Sequence, residues 1–226
     1  MFESTAQVAA INSALMVLGL RGVSVLGSSG DGGSHWSFQP FSGFGKVARA
    51  LNKVGCEYMF PIFPSPSPYM TSVGGTVWSG FDSSRPVAWS GSGGGFSWQF
   101  AAPAHQQQAV GNYLSTTPGL PPGASFNASG RAYPDISAVS VDGTSQSSPT
   151  FAGIFTLITD LRLSAGLKPL GFLGPRIYQV ASQFPSEAFE DITEGDTKTS
   201  CSSGFKLQVT SSVSYTHLTL PTIPLV

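Results

Sequence analysis

Apolar residues recur along the first third of the chain in runs that predict alternating helices and strands. Thr5–Leu20 has the spacing of a helix, and Arg21–Gly22 ends it. The short apolar run Val23–Leu26 predicts a buried strand, and the Gly-rich segment Gly27–Gly33 follows directly. A helix, a strand and a Gly-rich loop form an α/β unit. The loop of such a unit lies at the carboxyl end of a parallel strand, where ligands and catalytic groups gather.

The most strongly apolar helical pattern runs from Phe151 to Leu163 and covers nearly all faces, which predicts a buried helix. The small polar residues Asp142–Pro149 lead into it, and Gly166 suits its end. Ser145 therefore lies at or just before the helix N-terminus, where unpaired N–H groups and the helix dipole favour an oxyanion. The alternative is that the serines of this segment are only helix caps.

Several other segments have recognisable patterns. Met70–Thr76 predicts a strand that ends in a pair of glycines, and Gln106–Leu114 predicts a short helix. Residues 37–59 predict a surface loop with one amphipathic turn. The glycines of Trp89–Ser97 are flanked by aromatic residues, so we expect a close backbone approach there and not a flexible linker.

Composition and charge narrow the class of protein. The 226 residues suffice for one sizeable α/β domain, and 41% hydrophobic residues argue against disorder. Only 10% of residues are charged, the net charge is −1, and no basic stripe occurs, so no nucleic-acid partner is expected. The apolar run Val8–Leu20 is too short and too interrupted to span a bilayer, so no membrane partner is expected either.

The two cysteines, Cys56 and Cys201, leave their redox state open. They form one disulfide or remain two unrelated thiols, and no Cys/His spacing matches a zinc site. The glycosylation sequon Asn127–Ser129 favours a secretory route. Met1–Ser4 lacks the positive region of a signal peptide, so we expect any targeting segment to be missing from this chain.

Several blocks of the chain resemble, in order, those of the sedolisins, the serine-carboxyl peptidases related to subtilisin. The blocks are Ser29–Asp31, Phe60–Thr76, Ser92–Ser97, Gly130–Asp135 and Gly143–Pro149. The resemblance implies an α/β, subtilisin-like fold with a mostly parallel central sheet flanked by helices, truncated at both ends. It implies a partial peptidase domain over residues 1–207. Residues 208–226 continue nothing in that domain and are expected to be non-native or disordered.

The same resemblance implies roles for two residues. Ser145 matches the nucleophile that forms an acyl-enzyme, and Asp31 matches the residue that stands where subtilisins have an oxyanion-binding asparagine. An ionised carboxylate would repel an oxyanion, whereas a protonated one donates a hydrogen bond to it, so this role implies an acid-active enzyme. Asp31 as an Asx-turn residue among glycines is the alternative. Asp135 is expected to brace its strand and not to be catalytic.

Metal, partners and location follow from the resemblance as well. Asp191 through its side chain and Ile192 through its carbonyl resemble the first half of a Ca²⁺ site, whose second half is missing from this sequence. An acidic surface turn is the alternative. The implied partners are a peptide or protein substrate and a propeptide in the full-length protein. The implied products are tripeptides from peptide N-termini, and the implied location is the lysosome, the vacuole or the cell exterior.

Two departures from the family pattern bear on activity. Sedolisins use a Glu and an Asp one helical turn apart as the base, but Glu3 is the sole acid before Asp31. Ser145 is then a poor nucleophile, and the chain as given is expected to be inactive. The alternatives are a non-catalytic pseudopeptidase or spliced fragment that acts by binding, and a Ser/His/Asp hydrolase that uses His35 or His105. The family also has a strand between Ser140 and Gly143 that this chain lacks, which is expected to strain the connection to Ser145.

Overall fold

The computed structural model describes residues 4–35, 45–79, 85–141, 143–185, 187–199, 201, 204–205 and 216–218, which form an α/β fold. The helices are α1 (Thr5–Leu20), α2 (Gly45–Glu57), α3 (Gln107–Thr116), α4 (Thr144–Ser164) and α5 (Leu173–Gln183). The strands are β1 (Leu26–Ser28), β2 (Thr71–Trp78), β3 (Pro86–Ala88), β4 (Gly95–Ala101), β5 (Gly130–Tyr133), β6 (Ile136–Val139), β7 (Phe189–Asp191) and β8 (Thr216–Leu218). Short 3₁₀ turns lie at Ala104–Gln106 and Gly123–Ser125.

The central sheet is mostly parallel, as the sequence predicts. Its strand order is β1-β2-β6-β8-β7, with β3 paired antiparallel to β2. Neighbouring strands from β1 to β8 run parallel, and β7 is antiparallel to β8. Strands β4 and β5 form a separate antiparallel pair. Helix α4 packs on β1, β2 and β6, so its N-terminus lies at the carboxyl end of the parallel strands.

Two apolar clusters form the core. The larger lies between the sheet and helices α4 and α5 and includes Val73, Ile136 and Phe151, all fully buried. The smaller is built from aromatic residues of the β4–β5 pair and of the segments packed on it. In this cluster Phe96 stacks with Phe126 and Phe205 at ring-centroid distances of 5.1 and 5.2 Å.

Two of the expected helical features differ from the structure. Residues 45–57 form helix α2 and not a surface loop, and residues 37–44 lie outside the described residues. Helix α4 is not buried all round, because Leu157 and Leu161 are 63% and 59% exposed. Among the described helices, no segment combines the length and apolar character needed to cross a membrane.

Two of the predicted strands differ in extent from the structure, and one further strand lies in the tail. The first strand is β1, which begins only at Leu26 and is half-buried. Strand β2 does not end at the glycine pair but continues to Trp78. Of the expected tail from residue 208, Thr216–Leu218 form β8 between β6 and β7, and the remainder lies outside the described residues. The expected domain boundary at residue 207 remains a prediction.

The structure answers the question left open for the cysteines. Cys56, near the end of α2, forms a disulfide with Cys201, and their Cα atoms are 5.5 Å apart. The bond joins positions 145 residues apart in sequence. It therefore ties α2 to the segment that follows β7.

Candidate active site

Helix α4 begins immediately after a tight connection from β6. Only Val141–Gly143 separate Ser140 from Thr144, and Asp142 lies outside the described residues. Gly143 has φ = 112°, a conformation that side-chain-bearing residues rarely adopt. The Ser140 hydroxyl donates to the Gly143 carbonyl at 2.5 Å, which fixes the turn. Gly143 thus adopts the backbone conformation that the short connection between β6 and α4 needs, at the place where the sequence predicted strain.

Ser145 is the second residue of α4, and its side chain is exposed. The N-cap is Gly143, which offers no side-chain cap, and the later serines of the segment lie within the first two turns of the helix. The alternative that these serines are only helix caps is therefore wrong. Exposed Ser145 lies in the first turn, where the Thr144 N–H donates to Asp31 and the Gln146 N–H donates to the Gly143 carbonyl.

Thr144 joins this helix start to the loop that follows β1. Its backbone N–H and its hydroxyl both donate to Oδ1 of Asp31, each at 2.8 Å. The same hydroxyl accepts a hydrogen bond from the Gly30 N–H at 3.1 Å. The structure thus brings Asp31 next to Thr144, the residue that precedes Ser145, although 113 positions separate Asp31 from Thr144 in sequence. Asp31 is exposed, and both hydrogen bonds from Thr144 use its Oδ1.

The second Gly-rich segment packs against the Asp31 loop through backbone contacts. Gly93 donates to the Gly30 carbonyl at 2.7 Å, and Gly33 donates to the Gly91 carbonyl at 2.9 Å. A Cβ atom on Gly93 would overlap the carbonyl oxygen of Ser29. The expected close backbone approach of Trp89–Ser97 is confirmed, and it fixes the loop that carries Asp31.

Asp135 forms part of a buried network beneath the site, as a bracing residue and not a catalytic one. Its Oδ2 accepts from the Ser72 N–H at 2.8 Å and pairs with Arg131 at 2.5 Å. Its Oδ1 accepts from the Gln106 amide and from the Tyr178 hydroxyl, each at 2.9 Å. Burial raises the pKa of Tyr178 well above its usual value, with the Asp135 charge adding to the shift. The network connects β2, β6, the turn before α3, and α5.

The two histidines considered as alternative catalytic bases lie in buried or half-buried surroundings. His35 is 2% exposed, and neither of its ring nitrogens has a hydrogen-bond partner. His105 is half-buried and packs on the Tyr178 ring at a centroid distance of 5.2 Å. Burial lowers the pKa of both imidazoles. These positions give no support to a Ser/His/Asp hydrolase built on either residue.

The two residues expected to bind calcium account for only part of a site for the ion. Asp191 ends β7 and pairs in register with Thr216, and the Ile192 side chain is 1% exposed, packed with Ala88. One carboxylate and one carbonyl supply fewer than the six to eight oxygens that Ca²⁺ takes. Within the described ranges, the single group of three or more potential ligand residues is His35, Cys56 and Cys201. No step below is assigned to calcium.

The chain is similar in sequence to known proteins over most of its length. The chain is 41% identical over 192 residues to tripeptidyl-peptidase 1 of Bos taurus and to that of Homo sapiens. It is 42% identical over 193 residues to that of Canis lupus familiaris. Each alignment covers 78% of this chain, but the chain spans only 31% of the length of these curated relatives. No protein-family model matches the chain.

A solved structure defines the class of fold. Pseudomonas sedolisin, a serine-carboxyl proteinase solved with two molecules of pseudo-iodotyrostatin, matches at a TM-score of 0.63 over 90% of this chain and 54% of its own. At 22% identity this match shows the fold, which is the subtilisin-like α/β fold with a mostly parallel sheet. Together with the sequence matches, it shows that the chain belongs to the sedolisin family of serine-carboxyl peptidases.

Sequence reasoning missed two features of the site region. The hydroxyl of Thr144 links Asp31 to Gly30, and His35 lies against the Cys56–Cys201 disulfide. The local signal for the link through Thr144 was the threonine itself, which the motif around Ser145 includes without indicating a contact with Asp31. The second had no local signal, because its three residues lie 21 and 145 positions apart in sequence.

Proposed function

We propose that this chain carries the nucleophile and the oxyanion-binding acid of an acid-active serine-carboxyl peptidase that releases tripeptides from peptide N-termini. The observation that carries the proposal is the pair of 2.8 Å hydrogen bonds from Thr144 to Asp31. They hold an exposed carboxyl group at the helix N-terminus on which Ser145 is exposed. Tripeptide release rests on the sequence similarity to tripeptidyl-peptidase 1.

In the proposed reaction, Ser145 Oγ attacks the scissile carbonyl and forms an acyl-enzyme, which water then hydrolyses. The charge that develops on the carbonyl oxygen is stabilised by the backbone N–H of Ser145 and by a proton on Asp31 Oδ2. Thr144 orients the acid by occupying its other oxygen. This donor works only while Asp31 is protonated, which is the basis for expecting activity at acidic pH.

The proton of Ser145 needs an acceptor that these residues do not supply. We propose that it is a Glu/Asp pair, which the printed sequence does not contain before Ser145. The 226-residue chain alone is then inactive. Calcium binding through Asp191 and Ile192, a propeptide, and a lysosomal, vacuolar or secreted location stay proposals that rest on the family resemblance.

The test begins with the native transcript, sequenced against its genomic locus. We expect the native message to encode a Glu-x-x-x-Asp helix upstream of residue 1. Its product, purified from the native source, should hydrolyse a fluorogenic tripeptidyl amide with a free N-terminus at acidic pH, and much less at neutral pH. Ser145→Ala should abolish turnover, and blocking the substrate N-terminus should prevent it.

The competing proposal is a pseudopeptidase or spliced product that acts by binding, and the missing base is the observation that favours it. A native message without the carboxylate pair, together with a product that binds peptides but does not turn them over, supports this proposal and contradicts the peptidase one. Turnover by the 226-residue chain alone would instead show that Ser145 does not need the pair.

A further inference from the structure

The cluster of His35, Cys56 and Cys201 belongs to neither the proposed peptidase site nor the apolar core. The histidine nitrogen and the two sulfur atoms that serve as potential ligands lie within 4.8 Å of one another. His35 lies in the loop after β1, Cys56 near the end of α2, and Cys201 beyond β7. Three separate parts of the chain therefore converge at this point.

His35 has the unusual property of being buried and unpaired. Its side chain is 2% exposed, and neither Nδ1 nor Nε2 makes a hydrogen bond. A buried polar group without a partner costs free energy, and the great majority of such groups in folded proteins have one. Two sulfur atoms lie within 4.8 Å of a ring nitrogen, and they accept hydrogen bonds poorly while they are oxidised to a disulfide.

We propose that reduction of the Cys56–Cys201 disulfide converts this cluster into a zinc site with two thiolates and one imidazole as ligands. Two equivalents of a low-molecular-weight thiol reduce the bond. They are themselves oxidised to their disulfide, and Cys56 and Cys201 become thiols. Zinc binding then displaces the two thiol protons to solvent, because zinc binds thiolates and neutral imidazole. Water fills the fourth position.

The geometry suits this ion. Zinc is tetrahedral, with bonds of about 2.3 Å to sulfur and about 2.0–2.1 Å to nitrogen, so its ligand atoms lie roughly 3.5–3.8 Å apart. The three ligand atoms already lie within 4.8 Å of one another, and the ion requires the two sulfur atoms to separate and the imidazole nitrogen to lie at a similar distance from both. Soft thiolates with imidazole select zinc over calcium or magnesium.

The consequence is a tether that survives reduction. The disulfide links α2 to the segment after β7, and the zinc ion would link the same two segments and add the loop that carries Asp31, four residues before His35. This inference does not depend on peptidase activity and is tested without it.

The test uses the full 226-residue chain and Co²⁺ as a spectroscopic probe. The protein is reduced with a phosphine, oxygen is excluded, and Co²⁺ is titrated in, followed by Zn²⁺. We expect one equivalent to produce thiolate-to-cobalt charge-transfer absorption and the intense visible bands of tetrahedral cobalt, and zinc to abolish both. The oxidised protein should give neither signal.

Matched variants identify the ligands. His35→Gln should weaken Co²⁺ binding by more than the roughly 10–100-fold that loss of an outer-shell partner costs. Cys56→Ser should remove the charge-transfer band of one thiolate. His105→Gln, which changes a half-buried histidine outside the cluster, should bind as the wild type does. Equal Co²⁺ affinity of His35→Gln and the wild type would overturn the proposal.

A second measurement covers the case in which the reduced chain unfolds. Thermal unfolding of the reduced protein is followed with and without excess Zn²⁺, because an ion that binds only the folded state raises its midpoint. We expect zinc to raise the midpoint of the wild type and not that of His35→Gln. No rise for the wild type, or the same rise for both proteins, overturns the proposal.

Discussion

Thr144 supplies both hydrogen bonds that the structure shows at the Asp31 carboxyl group. Thr144→Val keeps the backbone donor but removes the hydroxyl, and with it the acceptor for the Gly30 N–H. In a catalytically complete form of the protein we expect kcat to fall on the order of 10-fold or more, with KM nearly unchanged, because the acid is less well oriented. Thr144→Ser, which keeps the hydroxyl, should retain most of the activity. Equal kcat for the valine variant and the wild type would contradict the positioning role.

Asp31 itself is expected to act through its proton. Asp31→Ala removes the donor and should lower kcat on the order of 10²–10³, the usual effect of losing one oxyanion donor. Asp31→Asn keeps an uncharged donor, so its kcat should lose the decline that the wild type shows as the pH rises. The measurement is a kcat profile from acidic to neutral pH for the three proteins. Parallel profiles for the wild type and the asparagine variant would exclude a proton on Asp31 as the donor.

His105 should make the fold less stable in acid. Burial lowers its pKa below 6.5, and this effect outweighs the opposing attraction of Asp135. The unfolded chain therefore binds the proton more readily than the folded one. The contribution of His105 to the free energy of unfolding is therefore highest above pH 6.5, where His105 is neutral in both states, and it decreases as the pH falls below that value. His105→Gln should show a smaller drop in the free energy of unfolding over this range, measured by urea unfolding at several pH values.

The sequence predicts those residues of the proposed site that lie in a short local motif. Ser145 and Asp31 each lie in a short segment with a recognisable pattern, and the structure places those segments together. The hydrogen bond from Gly30 to the Thr144 hydroxyl joins positions 114 apart, so it depends on how β1 and α4 pack and not on either segment alone.

Among the elements, one buried ion pair lies at the connection between β5 and β6. Arg131 and Asp135 are each about 98–99% buried, and the guanidinium also donates to the carbonyls of Ser67 and Met70 at 3.1 and 2.9 Å. Arg131→Ala leaves the carboxylate buried without its cation and should lower the free energy of unfolding by about 3–5 kcal/mol. Tyr178→Phe removes one hydrogen bond from the same carboxylate and should cost about 1 kcal/mol. Urea unfolding at neutral pH compares them, and equal losses would argue against the ion pair as the main contributor.

The hydrophobic patterns predicted the positions of helices and strands better than they predicted which residues are buried. The α1 boundaries were predicted as observed, because Arg21–Gly22 provides a local end signal. The all-round apolar pattern of α4 predicted a buried helix, yet Leu157 and Leu161 are exposed. The spacing of apolar residues shows which faces of a helix are apolar, but it does not show whether another segment packs on each face. Helix α2 was not predicted, because residues 37–59 together have an irregular, partly basic pattern that is typical of a surface loop.

At the scale of the whole molecule, the disulfide is a covalent constraint between distant parts of the chain. It closes a loop of 145 residues, and the chain-entropy estimate for such a loop is about 5 kcal/mol of stabilisation. With metal excluded by a chelator, Cys56→Ser should lower the free energy of unfolding by up to that amount, measured by urea unfolding. The reduced wild type should match the variant. A loss well under about 2 kcal/mol in both would show that the native contacts already hold the two segments together.

The position of this disulfide divides the proposed site in two. Ser145 lies within the ring that Cys56 and Cys201 close, whereas Asp31 lies on the segment before it. The parallel pairing of β1 with β2 and the hydrogen bonds to Thr144 connect the two parts without a covalent cross-link. A protein cut once between residues 36 and 55 would therefore hold its acid and its serine together as a noncovalent complex of two fragments. Assembly of the site would then depend on fragment concentration, as in a split enzyme.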